Sequence, residues 1–274
     1  MPATFVVVPQ WQGSGSSRAM RLIDGAQAIR GDLPSSATVD VDVPPGAGES
    51  LDSGVHRLSS VITVAERLDD ALDAVPGLPV VIGGDCGIEL AAVRHAVRRA
   101  DEPVALVWFD AHADANSPET SPSGAFHGMV VRALLGDGPE RLVDGAVLTP
   151  DRVVLAGTRS LDDAEADFLD GAGVRIVGPQ EGFAEAVVAA FRETGATRVY
   201  VHVDLDVLDP AEMEGVQYPE PFGLRVGQLA DALRALRAEA ELVGAGITEF
   251  APRDPSAAVD DLPAILRIVS ALVS

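Results

Sequence analysis

The run Val104-Ala105-Leu106-Val107-Trp108-Phe109-Asp110-Ala111-His112-Ala113-Asp114 changes character at one point. An apolar, β-prone stretch gives way to acids and a histidine at alternate positions. In extended backbone, side chains two residues apart share one side. Asp110, His112 and Asp114 can therefore converge beyond the end of a strand. Two carboxylates and an imidazole suit a hard-to-borderline divalent cation. A strand that is apolar along its whole length is buried on both faces, as in a parallel sheet covered by helices.

The same pattern extends in both directions. Thr4–Val8, Val80–Ile82, Arg152–Ala156, Val174–Val177, Arg198–Val203 and Leu242–Ile247 also read as strands. Between them, Ser59–Ala74, Gly87–Arg99, Phe126–Leu135, Asp162–Leu169, Glu181–Thr194 and Val226–Ala240 read as helices, as does Ala257–Leu272 at the end. Alternation of this kind predicts an α/β fold with a mainly parallel sheet. There is no internal repeat or low-complexity linker, so one domain over residues 1–274 is expected. Sites in such sheets lie at the carboxyl ends of the strands.

Bulk composition narrows the partners. The chain has 42 acidic and 20 basic residues, a net charge of −22. That excess argues against nucleic acid and anionic membranes, which need clustered basic groups. It favours cationic ligands, and it also keeps a protein in solution. Cys86 is the only cysteine, so no intramolecular disulfide forms. The N-terminus lacks the features of a signal peptide, and no apolar run reaches the ~18 residues that span a bilayer. A cytoplasmic protein is the expectation.

A second cluster ends another apolar strand: Val201-His202-Val203-Asp204-Leu205-Asp206-Val207-Leu208-Asp209-Pro210. Asp204 and Asp206 share a side, and two like charges at a buried strand end are costly unless a cation neutralises them. Asp209, before Pro210, reads as a loop-fixing residue. Either acidic cluster alone also reads as a solvated loop. Two of them, each ending an apolar strand, argue for metal. A third motif, Val80-Val81-Ile82-Gly83-Gly84-Asp85-Cys86-Gly87, reads as strand, tight glycine turn and helix start, with Asp85 as a cap. It lacks the Gly-Lys-Ser/Thr ending and the Gly-X-Gly-X-X-Gly spacing of nucleotide loops.

In this order, the three motifs resemble those of the ureohydrolase family, which includes arginases, agmatinases and formimidoylglutamases. The likeness extends from Val6–Gly15 to the last strand and Glu249 in Ala245–Pro252. It implies a three-layer α/β/α fold around a mainly parallel sheet and a centre of two Mn²⁺ ions. By this resemblance Asp110 and Asp204 bridge the ions, Asp114 completes the ligands of the first ion, and His112 and Asp206 those of the second. A hydroxide held by the metals would attack the guanidinium carbon, releasing urea and an amine. His127, Asp114 and Glu249 are the implied catalytic residues; His127 passes a proton to the leaving amine and Glu249 pairs with the guanidinium. Asn116, Ser121, Ser123 and Asp162 are the implied substrate-binding residues. They favour arginine over agmatine, although Ala125 and Ser160 stand where further polar and acidic residues are expected. Asp162 also reads as a helix N-cap. Guanidinobutyrate, agmatine and formiminoglutamate are the alternative substrates, and a small guanidino compound is the expected partner. The family is commonly trimeric or hexameric, so a homo-oligomer is expected.

Cys86 departs from the family pattern, which has a histidine there as a ligand of the first metal. A thiolate at this position shifts preference toward Zn²⁺ or Fe²⁺. Without ligation the first site is weak or vacant, and the chain is then a catalytically impaired relative with a structural or regulatory role. His95 sits on the following helix and does not replace the ligand, whereas His202 shares a strand face with Asp204 and Asp206 and can assist.

Overall fold

The computed structural model describes residues 2–274. In chain order the elements are β1 (Ala3–Val8), α1 (Arg21–Asp32), β2 (Thr38–Asp40), α2 (Leu58–Ala74), β3 (Leu78–Gly83), α3 (Glu89–Arg99), β4 (Val104–Phe109), α4 (Val130–Leu134), β5 (Val153–Ala156) and α5 (Asp163–Ala172). They continue with β6 (Arg175–Val177), α6 (Phe183–Glu193), β7 (Arg198–Asp204), α7 (Val226–Glu239), β8 (Glu241–Thr248) and α8 (Ala258–Val273). All eight strands join one sheet in the order β2-β1-β3-β8-β7-β4-β5-β6. Every pairing in it is parallel.

The pleat divides the core in two. On β4, Ala105, Val107 and Phe109 face the layer that contains α1, α6, α7 and α8. Leu106 and Trp108 face the layer of α2, α3, α4 and α5. Strands β1, β3, β4, β5 and β7 thus contribute apolar side chains to both layers, as their continuous hydrophobicity requires. This is the three-layer α/β/α architecture expected from the motifs. Among the described residues, no helix is long and apolar enough to cross a membrane.

Two elements escape the sequence reading. α1 contains two glycines, Gly25 and Gly31, which lower helix propensity. A side chain at Gly25 would collide with the backbone carbonyl of Phe250, so the glycine is needed for close packing against the segment that follows β8. β2 is a three-residue edge strand, too short to show alternation. The expected helix Phe126–Leu135 is also shorter. Phe126–Met129 forms a 3₁₀ turn, and a φ of −124° at Met129 delays regular α-helix to Val130.

Candidate metal centre and substrate cleft

β3, β8, β7 and β4 are neighbours in the middle of the sheet. Register pairs Phe109 with Val203, Val203 with Ile247, and Ile247 with Ile82. The next residues along these strands are Asp110, Asp204, Thr248 and Gly83. The two acidic clusters, the Gly-Gly-Asp-Cys turn and Glu249 therefore emerge side by side at one edge, which no single motif could specify.

Three groups of potential ligand atoms form there, with members of each within 4.8 Å of one another. They are Asp110, His112 and Asp206; Cys86, Asp204 and Glu249; and Cys86, Asp110 and His202. Cys86 Sγ lies 3.1 Å from Asp204 Oδ2 and 3.2 Å from Thr248 Oγ1. His112 Nδ1 is 3.1 Å from Asp206 Oδ2 and 3.4 Å from Asp110 Oδ1. Asp114 belongs to none of the three groups, but it is buried and lines the same cleft. His95 pairs instead with Asp73 at 3.3 Å.

The turns that carry these side chains are tightly held. Asp85 accepts hydrogen bonds from Gln10 Nε2 (2.8 Å), Gly13 N (2.9 Å) and Gly87 N (2.9 Å). It both caps the turn, as expected, and pins the loop after β1 beneath it. Asp204 Oδ1 accepts from Asp206 N, and Asp110 Oδ1 from His112 N, so each cluster orders its own bend. Asp209 accepts from Ala211 N and Gly223 N, the loop-fixing part read from the sequence. Asp114 (φ 49°) and Glu249 (φ 65°) adopt left-handed backbone that non-glycine residues rarely take. Glu249 is held there by its N–H to Gly84 O at 2.8 Å. Strain of this kind persists only where surrounding structure over-determines it, and it clusters at functional sites.

Packing so many acids together shifts their protonation. Burial, then the charge of Asp110, raises Asp114 well above the ordinary carboxylate range. Burial, then Asp206, does the same for Asp204 and raises Asp110 as well. Burial and the charge of Asp204 push the Cys86 thiol up. For His112, burial is outweighed by Asp206 and Asp110, which raise it strongly. For His127, burial is outweighed by its hydrogen bond to Glu249, and the net shift is upward. Asp114 Oδ2 and Glu249 Oε2 are buried without any hydrogen-bond partner. Buried oxygens left unpaired amid mutually repelling carboxylates are costly. A bound divalent cation removes both costs, and the O/N donor set with one sulfur fits such an ion.

A cleft of about 350 Å³ opens over this centre. It is lined by His112, Asp114, Asp204, Asp206 and His127 together with Asn116, Ser121, Ser123 and Asp162. His127 Nδ1 is 3.2 Å from Glu249 Oε1, and the Gly15 N–H lies 3.4 Å from His127 Nε2. Glu249 Oε1 also accepts from Cys86 N at 3.2 Å. Asp162 is the N-cap of α5, in a capping box with Glu165, and its second oxygen accepts from Asn116 Nδ2 at 2.8 Å. The cap reading of Asp162 is thus correct, and the residue still faces the cleft. Ser121 and Ser123 place their hydroxyls 3.4 Å apart at the rim.

Several contributors were not found by sequence reasoning. Tyr218 lines the cleft, with its ring 5.3 Å from that of His127 and 6.5 Å from that of His112. Arg159 donates to the carbonyls of Asp206, Val207 and Glu220, tying the second acidic loop to the loop that carries Tyr218. Trp108 Nε1 donates to Asp110 Oδ2 at 3.0 Å. Only Trp108 left a signal, since it stands two residues before Asp110 on the same strand face. Tyr218 and Arg159 come from irregular loops whose path is set by tertiary contacts.

Known proteins agree with this geometry. The model of the Arginase family matches residues 17–265. An arginase of Bacillus caldovelox is 35% identical over 219 residues, covering 74% of this chain and 73% of its own. The N(omega)-hydroxy-L-arginine amidinohydrolase of Streptomyces lavendulae is 29% identical over 269 residues, 95% of this chain and 90% of its own. The crystal structure of Entamoeba histolytica arginase in complex with L-ornithine superposes with a TM-score of 0.87, covering 99% of this chain and 97% of that one. At 23% identity this last likeness speaks for the fold alone. The match of the family model, together with the bacterial relative at 35% identity, establishes that the chain belongs to the arginase family, whose members are hydrolases acting on amidino carbon–nitrogen bonds.

Proposed function

We propose that the chain hydrolyses the guanidinium group of an arginine-like α-amino acid, releasing urea and the corresponding amine. The observation that carries this reading is one cleft that joins the acidic centre to a polar lining. Its acids match a cationic guanidinium, and Ser121 and Ser123 hydroxyls with Asn116 and Asp162 are offered to an amino-acid tail. Hydroxyls can donate to an α-carboxylate, and Asp162 can accept from an α-ammonium group. Agmatine has no carboxylate for the serines to hold. The family depends on a pair of divalent ions, typically Mn²⁺, and acts on small guanidino compounds.

Asp110, His112, Asp114, Asp204, Asp206 and Cys86 are the residues that would hold the ions, with His202 beside them. Bound divalent ions would supply an activated water near neutral pH and neutralise the acids around it. The remaining work falls to the chain's own side chains. Glu249, with Oε2 unpartnered, offers its charge to the guanidinium and steadies His127 through Oε1. His127 carries a proton to the departing amine. Tyr218 and the serine rim hold the substrate against the centre and limit water at its mouth.

The test is release of the amine product (ornithine, putrescine, 4-aminobutyrate or glutamate) by metal-loaded protein with arginine, N-hydroxyarginine, agmatine, guanidinobutyrate and formiminoglutamate. The α-amino acids with a guanidino group are expected to exceed agmatine and guanidinobutyrate in kcat/KM. Turnover led by agmatine would overturn the assignment of the serine rim. With metal bound, no turnover of any compound would point to the impaired-relative reading that Cys86 raises.

A further inference from the structure

Beneath the centre, behind Cys86, lies a buried polar cluster of His202, Glu89 and Tyr200 whose part the proposed reaction leaves open. His202 is completely buried, and its ring stacks on Trp108 at 3.5 Å between centroids and 21° between planes. Its Nε2 faces Cys86 Sγ at 3.7 Å. Its Nδ1 faces Glu89 Oε2 at 3.5 Å, an ion-pair separation, and makes no hydrogen bond. Glu89 is completely buried too; Oε2 accepts from the Tyr200 hydroxyl at 2.9 Å, while Oε1 has no partner. Gly246 makes the space, because a side chain there would collide with the Glu89 carboxylate.

A buried carboxylate behind a buried imidazole is poor design for a core, where apolar residues would fill the same volume at no electrostatic cost. It is good design for a metal ligand. Imidazoles that bind metal by one nitrogen usually direct the other to a carboxylate, which fixes the ring and raises its basicity. The ligand atoms of Cys86, Asp110 and His202 already lie within 4.8 Å of one another. One indole serves both sides, since Trp108 stacks on His202 and donates to Asp110.

We propose that Cys86, His202 and Asp110 form a thiolate–imidazole–carboxylate site for one ion of the pair, with Glu89 as the positioning residue behind His202. Metal entry displaces the thiol proton of Cys86 to solvent and forms the metal–sulfur bond. Sulfur and imidazole ligands favour Zn²⁺ or Co²⁺ over Mn²⁺, whereas Asp110, His112 and Asp206 make a harder site. The centre is then chemically asymmetric, with one end for a borderline ion and the other for Mn²⁺. This inference rests on the reading of the strand ends as a metal centre, but not on any substrate.

The test uses the full chain, stripped of metal and reloaded. X-ray absorption at the zinc edge, with one equivalent of Zn²⁺, is expected to show one sulfur at about 2.3 Å and imidazole nitrogen at about 2.0–2.1 Å. The Co²⁺ form is expected to show thiolate-to-cobalt charge transfer in the near ultraviolet. Cys86→Ser should abolish the sulfur shell and that band. Glu89→Gln should weaken Zn²⁺ binding by about 10–100-fold, and His202→Ala by at least as much, with Mn²⁺ binding at the harder site changed far less. Bound zinc with only oxygen and nitrogen neighbours would overturn the inference and leave the metal centre standing. A sulfur shell with unchanged Zn²⁺ affinity in both His202→Ala and Glu89→Gln would overturn the part given to those residues. Failure of the wild-type chain to bind any divalent ion would overturn the metal-centre reading itself. The wild-type spectrum decides the ligands even if a variant does not fold.

Discussion

His127 and Glu249 face each other at 3.2 Å, and each has a neighbour that limits its freedom. The Gly15 N–H meets Nε2 of the histidine, and Cys86 N–H meets the same carboxylate oxygen as the ring. Held this way, and as the proposed proton carrier, His127 should matter for turnover more than for binding. His127→Asn is expected to lower kcat by about 10²–10⁴-fold with a small change in KM, read from steady-state kinetics on the preferred substrate. Equal loss through KM alone would remove His127 from the proton path. Trp108 acts at one remove, because its indole N–H orients a carboxylate oxygen of Asp110. Trp108→Phe keeps the stacking surface and deletes the donor. Metal affinity is expected to fall by about 10–100-fold while unfolding changes little, as isothermal titration and thermal melts would show.

At the scale of an element, α5 begins at the cleft. Its cap, Asp162, satisfies the Glu165 N–H with one oxygen and Asn116 with the other. The two duties separate by substitution. Asp162→Asn keeps a good cap and removes the charge, so it should raise KM for an α-amino acid substrate with little change in stability. Asp162→Ala should raise KM similarly and also cost about 1 kcal/mol in denaturant unfolding. Unchanged KM in both would reduce Asp162 to a helix cap. β8 offers a second case. Gly246 lies in register with His202 on β7 and leaves room for Glu89 from α3. Gly246→Ala is expected to destabilise by about 1–3 kcal/mol through overpacking. Adding Glu89→Ala should recover part of that loss, since residues in contact are not additive.

The whole molecule carries a charge of −22 and concentrates several of its acids at one end of one sheet. Burial is the largest cause of the raised values of Asp85 (about 6), Asp110, Asp114 and Asp204. A carboxylate raised on folding binds more protons in the native state than in the unfolded one. Its contribution is fully present below the ordinary carboxylate range and is lost as pH rises toward the raised value. Metal-free protein should therefore melt at a lower temperature at about pH 8 than at about pH 5. Carboxylates lowered by surface partners, such as Asp40 and Asp254, act only below their ordinary range and leave this window alone. Saturating divalent metal should raise the melting temperature, with about 2.7 kcal/mol at a hundred times Kd, and flatten the dependence on pH. Metal-free protein equally stable across that range would show that these acids are not buried together.

The sequence by itself determined the fold class, the order of most elements and the acids at the strand ends. Apolar strands that stop abruptly at charge can be satisfied in few ways, so local pattern and chemistry agree there. His202 was legible as a neighbour of Asp204 and Asp206, because both lie at strand spacing. Glu89 left only a weak trace, three residues after Cys86 at the start of a helix. What tertiary structure alone decided is which strand ends meet. The order β3-β8-β7-β4 brings Cys86, Glu249, Asp204 and Asp110 together from positions far apart in the chain. It also stacks Trp108 on His202 and turns Gly246 into space for Glu89. The physical reason is that spacing within a strand sets which side a residue faces, whereas strand order and register set what it faces, and those depend on the packing of both helical layers.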